Sequence, residues 1–511
     1  MKNRKLNQLK AGVILSYVIT ALNMVIGLVY TPVMIRLLGQ GEYGLYTLVG
    51  SVVSYLSLFS LGFSGAYLRF YSRFVAKNDE KGVARLNGMF LTLFLVMGVV
   101  AFICGMVLSC FTEEVFGTNL TVAELGKAEI LMRFLVVNIA LTFPSSVMNS
   151  IISSQEKFLF QRIVTLAGVI ANPFICLPLL LAGYGSVAVV AVTTGITLFK
   201  LLVDIWYCIK KLHIQFDFSH FDWSLLKEMS GFSFFLFLNM IIDQINWSVD
   251  KFILGRVAGT AAVAVYGVGG QINSLYLNFS TAISSVFAPR VNSIATTDKE
   301  TMQREFTTLF IKVGRIQALV LLLVASGFVV FGEYFITDVY TSEEYRDAYI
   351  VALFLILPVT IPLIQNLGIE IQRAVNKHRA RAIIYIVMAV VNTLVSISLA
   401  KQFGPIGCAM GTAGSLLLAN GLIMNIYYYK AIGIDIIAFW KSIGSLCKGM
   451  IIPIVLGFFI MSKITFNGII EFLIWILIYA SVYVISMWLF GMNSFEKDLV
   501  RKPLARIIKR K

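Results

Sequence analysis

Four polar residues lie in one apolar stretch at spacings that place them on a single helix face. In NMIIDQINWSVDKFILG, Asn239, Asp243, Asn246 and Asp250 follow one another at intervals of 4, 3 and 4 residues. At about 100° per residue, the four side chains fall within an arc of roughly 60°. Two carboxylates in such a stripe could take up and release protons or bind a cation. The alternative is a pair of buried acids held by hydrogen bonds between helices.

The two aspartates lie at different depths. If this stretch crosses a membrane as a helix from Phe232, the rise of about 1.5 Å per residue places Asp243 about 16 Å into the hydrocarbon core. That core is about 30 Å thick, so Asp243 lies near its midplane. Asp250 reaches the outer boundary beside Lys251. An ionised carboxylate facing lipid costs at least a few kcal/mol, so such residues face protein or a wet cavity. We take Asp243 as the first candidate for proton uptake and release and Asp250 as the second.

The next apolar stretch continues this polar character. Gln271 and Asn278 lie near one face at helical spacing. Together with Asn239 and Asn246, they form a predicted polar cavity stripe.

Four basic residues are candidates for binding an anion. YLRFYSR contains Arg69 and Arg73, and FAPRVNS contains Arg290. Guanidinium groups at the mouth of a cleft could grip a diphosphate bidentately, although the positive-inside rule also explains them. Lys200 lies in an apolar run one turn before Asp204. We expect an ion pair between these two, with substrate binding by Lys200 as the alternative.

The composition predicts an all-α polytopic membrane protein. Hydrophobic side chains make up 58% of the 511 residues and charged ones only 14%, whereas soluble domains carry about a quarter charged residues. About 14 runs are long enough to cross a membrane as helices. They lie at 11–35, 43–65, 88–111, 130–152, 163–181, 187–209, 232–254, 261–286, 310–331, 348–371, 383–400, 406–429, 443–461 and 468–490.

The basic residues predict the orientation. Most of the 42 Lys and Arg residues fall at the N-terminus, in alternate connections (one of which holds Arg315), and in the tail KDLVRKPLARIIKRK. Both termini are therefore expected on the cytoplasmic side. The net charge of +15 then follows from topology and does not imply nucleic acid. The tail either lies against anionic lipid or only fixes the topology. The first run is too long for a signal peptide and is expected to remain a span.

No metal or cofactor is expected. The six cysteines show no paired spacing, and the three histidines lack companion ligands. A GxxxxGK[ST] loop is absent from the sequence, so direct ATP-driven transport by this chain is not expected.

An internal repeat divides the chain. LGQGEYGLYTLVG, from residue 38, matches LGRVAGTAAVAVYGVGG, from residue 254, with Tyr46 and Gly50 on Tyr266 and Gly270. QEKFLFQR at 155–162 is aligned with QRAVNKHR at 372–379, and YGSVAVVAVTTG at 184–195 with FGPIGCAMGTAG at 403–414.

Each copy holds six spans, so the repeat is parallel about an axis along the membrane normal. We predict an N-terminal lobe at 1–212, a C-terminal lobe at 213–430, and a region at 431–511 with two extra helices and the basic tail. A cleft between the lobes could open alternately to either side.

With RLLGQGEYGLYTLVG, DKFILGRVAGTAAVAVYGVGG and the doubled plan, the chain resembles the polysaccharide flippases of the multidrug/oligosaccharidyl-lipid/polysaccharide (MOP) exporter superfamily. The resemblance implies a MATE-like fold in a bacterial-type cytoplasmic membrane and no enzymatic activity. Its implied cargo is a polyprenyl-diphosphate-linked oligosaccharide, moved outward for polymerisation and coupled to an ion gradient or membrane potential. Implied partners are membrane lipids, a polysaccharide polymerase and glycosyltransferases.

Three alternatives remain. Two belong to the same superfamily: a flippase for the peptidoglycan lipid precursor and a multidrug exporter, which would normally have 12 spans. A membrane glycosyltransferase or polymerase would need a larger outer loop than this chain offers.

Overall fold

The computed structural model describes residues 2–508 except Thr118, His220 and His378. Side chains within that range are described apart from those at 2–11, 13, 64, 232, 235, 239, 243, 247, 279, 282, 283, 285, 500 and 503–508. The described chain is helical throughout and contains no β-strand. Ten of its helices are long and apolar enough to cross a membrane, or eleven if one bent pair counts as a single span. The prediction of an all-α, multi-pass membrane protein is therefore confirmed.

The chain forms two compact units, residues 1–267 and 268–511. The first contains α1 (Lys2–Val53), α2 (Tyr67–Ala76), α3 (Glu80–Ser109), α4 (Thr112–Phe116), α5 (Val122–Ser154), α6 (Phe158–Leu181), α7 (Gly185–Lys210) and the first part of α8 (Trp223–Ser284). The predicted lobe boundary at residue 212 follows the sequence repeat, whereas the first compact unit extends to residue 267. The first helix of the second repeat therefore packs in the first unit. The repeat-based lobes stay a prediction.

The second unit begins within α8. Its further helices are α9 (Ala288–Ile294), α10 (Lys299–Tyr334), α11 (Asp347–Ile364), α12 (Leu367–Ala374), α13 (Arg379–Leu416), α14 (Met424–Tyr427), α15 (Ile436–Gly444), α16 (Cys447–Lys463), α17 (Ile469–Ser486) and α18 (Ser494–Ile508). Helices α15 and α16 form the bent pair, with 41° between them. π-Helical segments cover Phe335–Tyr340, Leu417–Ile423, Tyr428–Ile432 and Met487–Gly491.

Three of the longest helices are interrupted by a single glycine. Gly39 in α1 (φ 75°), Gly259 in α8 (φ 78°) and Gly404 in α13 (φ 57°) have non-helical backbone angles. Glycine reaches positive φ without steric cost, so it can change the direction of the chain between two helical segments. At about 1.5 Å per residue, each of these helices exceeds the roughly 30 Å needed for one crossing.

Backbone landmarks recur at the spacing of the sequence repeat. Gly39 and Gly259, 220 residues apart, share nearly the same angles, with ψ of 169° and −175°. Glu156 and Asn376, also 220 apart, both have positive φ, at 58° and 54°. The sequence alignment of Gln155 with Gln372 is therefore offset by three residues from the structural register.

Helix starts recur at nearly the same spacing, 219 residues. Asp79 and Asp298 each cap the next helix, accepting the backbone N–H of Gly82 and of Thr301. The Thr301 N–H lowers the pKa of Asp298 below its ordinary value.

The second segment of α1 packs closely on α8 within the first unit. A Cβ atom at Gly44 would lie 1.9 Å from the carbonyl oxygen of Thr260. Only a residue without a side chain allows the two backbones to approach so closely. This contact places the polar stretch of α8 against α1.

A buried ion pair holds the C-terminal helices in the second unit. The Arg315 guanidinium of α10 donates to Glu496 at 2.5 and 3.0 Å, to the Ser445 hydroxyl at 2.6 Å, and to the carbonyls of Ser442 (2.5 Å) and Gly491 (2.9 Å). The two charged side chains are only 4% and 2% exposed. All five guanidinium N–H groups are thus satisfied, as burial of this charge requires.

Arg315→Met should destabilise the protein by about 3–5 kcal/mol, because Glu496 would then be buried without its partner. Thermal unfolding of the purified protein in detergent measures the loss. The matched control is Arg346→Met, which removes an exposed ion pair with Glu333 and should change unfolding little. Equal unfolding temperatures for both variants would show that the buried pair does not hold the fold.

Candidate functional site

A cavity of about 340 Å³ lies among α1, α6 and α7 in the first unit. Its polar lining residues are Asn23 of α1, Thr165 and Asn172 of α6, and Lys200 of α7, and the remaining wall is apolar or glycine. All three helices are candidate membrane spans. The chain therefore forms a small, partly open and mainly apolar cavity among these helices, with one ammonium group among its lining residues.

The helix that forms part of the wall also lacks one backbone hydrogen bond. Val169 and Pro173 of α6 both line the cavity. Proline has no N–H, so Pro173 cannot donate the helical hydrogen bond to the carbonyl of Val169. Asn172 is held by a bond of 3.2 Å from its Nδ2 to the Thr193 hydroxyl. The cavity thus combines neutral hydrogen-bonding groups with the cation of Lys200.

Helix α7, which carries Lys200, is fixed at its N-terminus. Glu42 Oε1 accepts the backbone N–H of Ser186 at 2.6 Å and its hydroxyl at 2.8 Å. Glu42 also pairs with Lys127 at 3.1 Å. A carboxylate at a helix N-terminus is favoured by the free N–H groups and the helix dipole. These contacts set the position of α7 against α1 and α5.

The predicted ion pair between Lys200 and Asp204 is wrong. Asp204 is fully buried, and neither of its carboxylate oxygens has a hydrogen-bond partner among the described residues. Lys200 is half-buried and faces the cavity. The spacing of one turn allowed a pair, but the long lysine side chain extends to the cavity while the short aspartate stays enclosed.

The polar stripe of α8 is described only in part. The side chains of Asp243 and Asn239 lie outside the described residues, and that of Asn246 is half-buried. Asp250 is 2% exposed and accepts a bond of 2.5 Å from the Tyr266 hydroxyl. Asp250 is therefore enclosed by protein, and its bond to Tyr266 spans the break at Gly259. The predicted place of Asp250 at the outer boundary did not suggest this partner.

Sequence reasoning missed a polar contact on the neighbouring face of α8. The Gln244 amide donates to the Ser54 hydroxyl at 2.5 Å and to the Ser248 hydroxyl at 2.6 Å. Gln244 and Ser248 are four residues apart, so a search for a second polar face would have found them. This cluster links α8 to the short helix at Ser54–Ser60.

The other stripe residues belong to the second unit. Gln271 is half-buried and Asn278 is exposed, both in the second part of α8. No group of three or more His, Cys, Asp or Glu residues suited to a metal occurs among the described residues.

Arg73 and Arg290 form ion pairs at the surface. Arg73 of α2 forms a bidentate pair with Glu228, at 2.8 and 2.9 Å, and Arg290 of α9 pairs with Glu305 at 3.0 Å. Arg69, one turn before Arg73, is exposed. These side chains are half-exposed or more, so their pairs are weak and an anion could compete for the guanidinium groups.

Comparison with known proteins identifies relatives for most of the chain. A family described as "Polysaccharide biosynthesis protein" matches residues 33–350. A "Putative O-antigen transporter" of Shigella flexneri is 23% identical over 51% of this chain and 60% of its own length. A "Probable flippase" of Haloferax volcanii is 26% identical over 35% and 37%. The matches thus span less than two thirds of either relative.

Solved structures share the fold. An inward closed structure of the lipid II flippase MurJ has a TM-score of 0.70 at 17% identity, covering 96% of this chain and all of MurJ. An inward-facing MATE multidrug transporter of the MOP superfamily has a TM-score of 0.60 at 15% identity, covering 83% and 96%. The predicted MATE-like fold is confirmed, and the family match confirms the resemblance to the polysaccharide flippases.

Lys200→Gln should weaken binding of farnesyl diphosphate at least about tenfold, because an ammonium in a low-dielectric cavity attracts an anion more strongly than it does in water. Calorimetric titration of the purified protein in detergent measures Kd. Lys210→Gln is the matched control, since Lys210 is exposed at the end of the same helix. The cavity is not an anion site if Lys200→Gln and Lys210→Gln bind equally well.

Proposed function

Because the chain belongs to the family of polysaccharide biosynthesis proteins, we propose that it is a flippase for polyprenyl-diphosphate-linked oligosaccharides. It moves these repeat units from the cytoplasmic to the outer leaflet by alternating access. The family match over residues 33–350 carries this proposal. It is supported by the transporter and flippase names of the two relatives and by a cavity among apolar helices that is lined by a lysine and three neutral polar side chains.

The topology that we propose has 14 spans in two parallel six-helix lobes with two extra helices. The glycine breaks support this count, because α1, α8 and the helical stretch Arg379–Ile432 that begins with α13 are each long enough for two crossings. The recurring landmarks 220 residues apart support the repeat. Both termini face the cytoplasm of a bacterial-type cell, following the distribution of Lys and Arg.

The anionic end of the cargo is assigned to the basic residues. Lys200 in its cavity holds the diphosphate, and Arg69, Arg73 and Arg290 attract it from the cytoplasmic leaflet. Guanidinium groups suit this task because they bind phosphate bidentately. The sugar passes along the polar residues Asn239, Asn246, Gln271 and Asn278.

We assign ion coupling to Asp243, with Asp250 as the second candidate. A carboxylate among apolar helices can change its charge with a proton or hold a cation, which is the reason for this assignment.

Asp243→Asn should abolish the dependence of transport on a pH or sodium gradient in reconstituted vesicles. Unchanged gradient dependence would remove Asp243 from the coupling role.

Glycosyltransferases that build the repeat unit and a polymerase that consumes it are the proposed partners. The same architecture serves a peptidoglycan-precursor flippase and multidrug exporters. The family match favours the oligosaccharide cargo over both alternatives.

Depletion of the protein in its host should cause the lipid-linked oligosaccharide to accumulate, because synthesis continues while export stops. Extracted lipids are quantified by mass spectrometry, and exposure at the cell surface is measured with a membrane-impermeant sugar oxidant. The accumulated lipid should resist the oxidant in intact cells and react in broken ones. Accumulation of the peptidoglycan precursor, or no accumulation of either lipid, would contradict the proposal.

A further inference from the structure

Asp204 is a buried acid among the described residues that none of the roles above uses. It lies in α7, one turn from Lys200, and its side chain is fully buried. Neither carboxylate oxygen has a hydrogen-bond donor among the described residues. An ionised carboxylate without donors or a paired cation is strongly disfavoured in such a site. The neutral, protonated acid avoids this cost.

The charged and titratable groups around Asp204 are few. Lys200 and Cys208, each one turn away on α7, interact with it electrostatically. Helix α6 runs antiparallel to α7, and its Phe160 stacks on Tyr207 of α7. This register brings Arg162 of α6 to the level of Asp204, yet no hydrogen bond joins Arg162 to Asp204.

Among the described side chains, those of the other neighbouring helices at this level carry no charge. Helix α5, parallel to α7 through the bond of Asn138 to Thr197, places Pro144 and Ser145 near Asp204. Tyr17 of α1 is exposed. Tyr67 of α2 interacts electrostatically with Cys208, one turn after Asp204 on α7.

We propose that Asp204 is a proton-binding site that controls the anion affinity of Lys200. When the carboxylate holds a proton, Asp204 is neutral and the Lys200 ammonium is available to an anion in the cavity. When the proton leaves to solvent, the carboxylate charge attracts the ammonium one turn away and competes with the anion. One proton is bound or released, and no other bond changes. This inference rests on the proposed function for its anion, a diphosphate.

Proton and anion therefore bind cooperatively. If protonation of Asp204 strengthens anion binding at Lys200 by a given factor, anion binding must strengthen proton binding by the same factor. A cargo diphosphate would then carry a proton with it into the protein. This site differs from Asp243 and Asp250, which lie on α8.

The protonation state can be observed without any ligand. Infrared spectra of the purified protein at pH 5 should contain the carbonyl stretch of a protonated carboxylic acid, which Asp204→Asn should lose and Asp347→Asn, at an exposed position, should retain. In Lys200→Gln, the band should persist to higher pH, because the ion that favours the charged carboxylate is gone. This comparison does not require the Asp204 variant to fold. Absence of the band, or no displacement in Lys200→Gln, would overturn the proposal.

The coupling is tested with farnesyl diphosphate at pH 6 and pH 8. The change in wild-type affinity between the two pH values is corrected by the change measured in Asp204→Asn. After this correction, the wild type should bind about tenfold more tightly at pH 6 than at pH 8, within the range typical of coupled sites. That variant reports the titration of the diphosphate itself. Lys210→Gln should behave as the wild type. Identical pH dependence in wild type and Asp204→Asn, or no binding by the wild type, would overturn the coupling.

If the infrared band is present and the wild type fails to bind, the proposed anion site is also wrong. If binding occurs with no contribution from Asp204, only the inference fails and the anion site stands.

Discussion

The lipid core offers no water to solvate charged or polar groups, and the rest of the structure follows from this constraint. Within the described helices, most polar side chains are satisfied by other parts of the chain. Arg315 uses all five donors on Glu496 and neighbouring groups, and Gln244 bonds two serines. These contacts hold helices together. The carboxylate of Asp204 has no hydrogen-bond donor among the described residues, and Lys200 lines the cavity, which is why we propose that this pair binds a proton and an anion.

The same constraint explains the glycine breaks. A helix satisfies its own backbone, so a membrane chain prefers to stay helical, and a break in a helix must disturb few hydrogen bonds. One glycine at positive φ achieves this in α1, α8 and α13. Because Gly39 and Gly259 have almost the same angles, the two parts of the repeat share a local geometry as well as a sequence pattern.

The helical class could be predicted from the sequence because it depends on a local feature, long apolar runs. The repeat, inferred from recurring Gly and Tyr, stays a prediction. Contacts between distant residues could not be predicted. The sequence predicts for Arg315 only a place in a basic cytoplasmic connection, yet Arg315 donates hydrogen bonds to Glu496, 181 residues away. Asp250 bonds Tyr266 across a break that hydropathy does not indicate. The pairing of Lys200 with Asp204 failed because helical spacing does not determine where each side chain points.

The central claim is that the protein moves lipid-linked oligosaccharide between leaflets. The direct measurement uses vesicles containing the purified protein and a fluorescent polyprenyl-diphosphate oligosaccharide in one leaflet, with a membrane-impermeant quencher outside. The account predicts that the protein exposes the inner lipid to the quencher, and that Lys200→Gln slows this transfer while Lys210→Gln does not. Transfer no faster than in protein-free vesicles would contradict it.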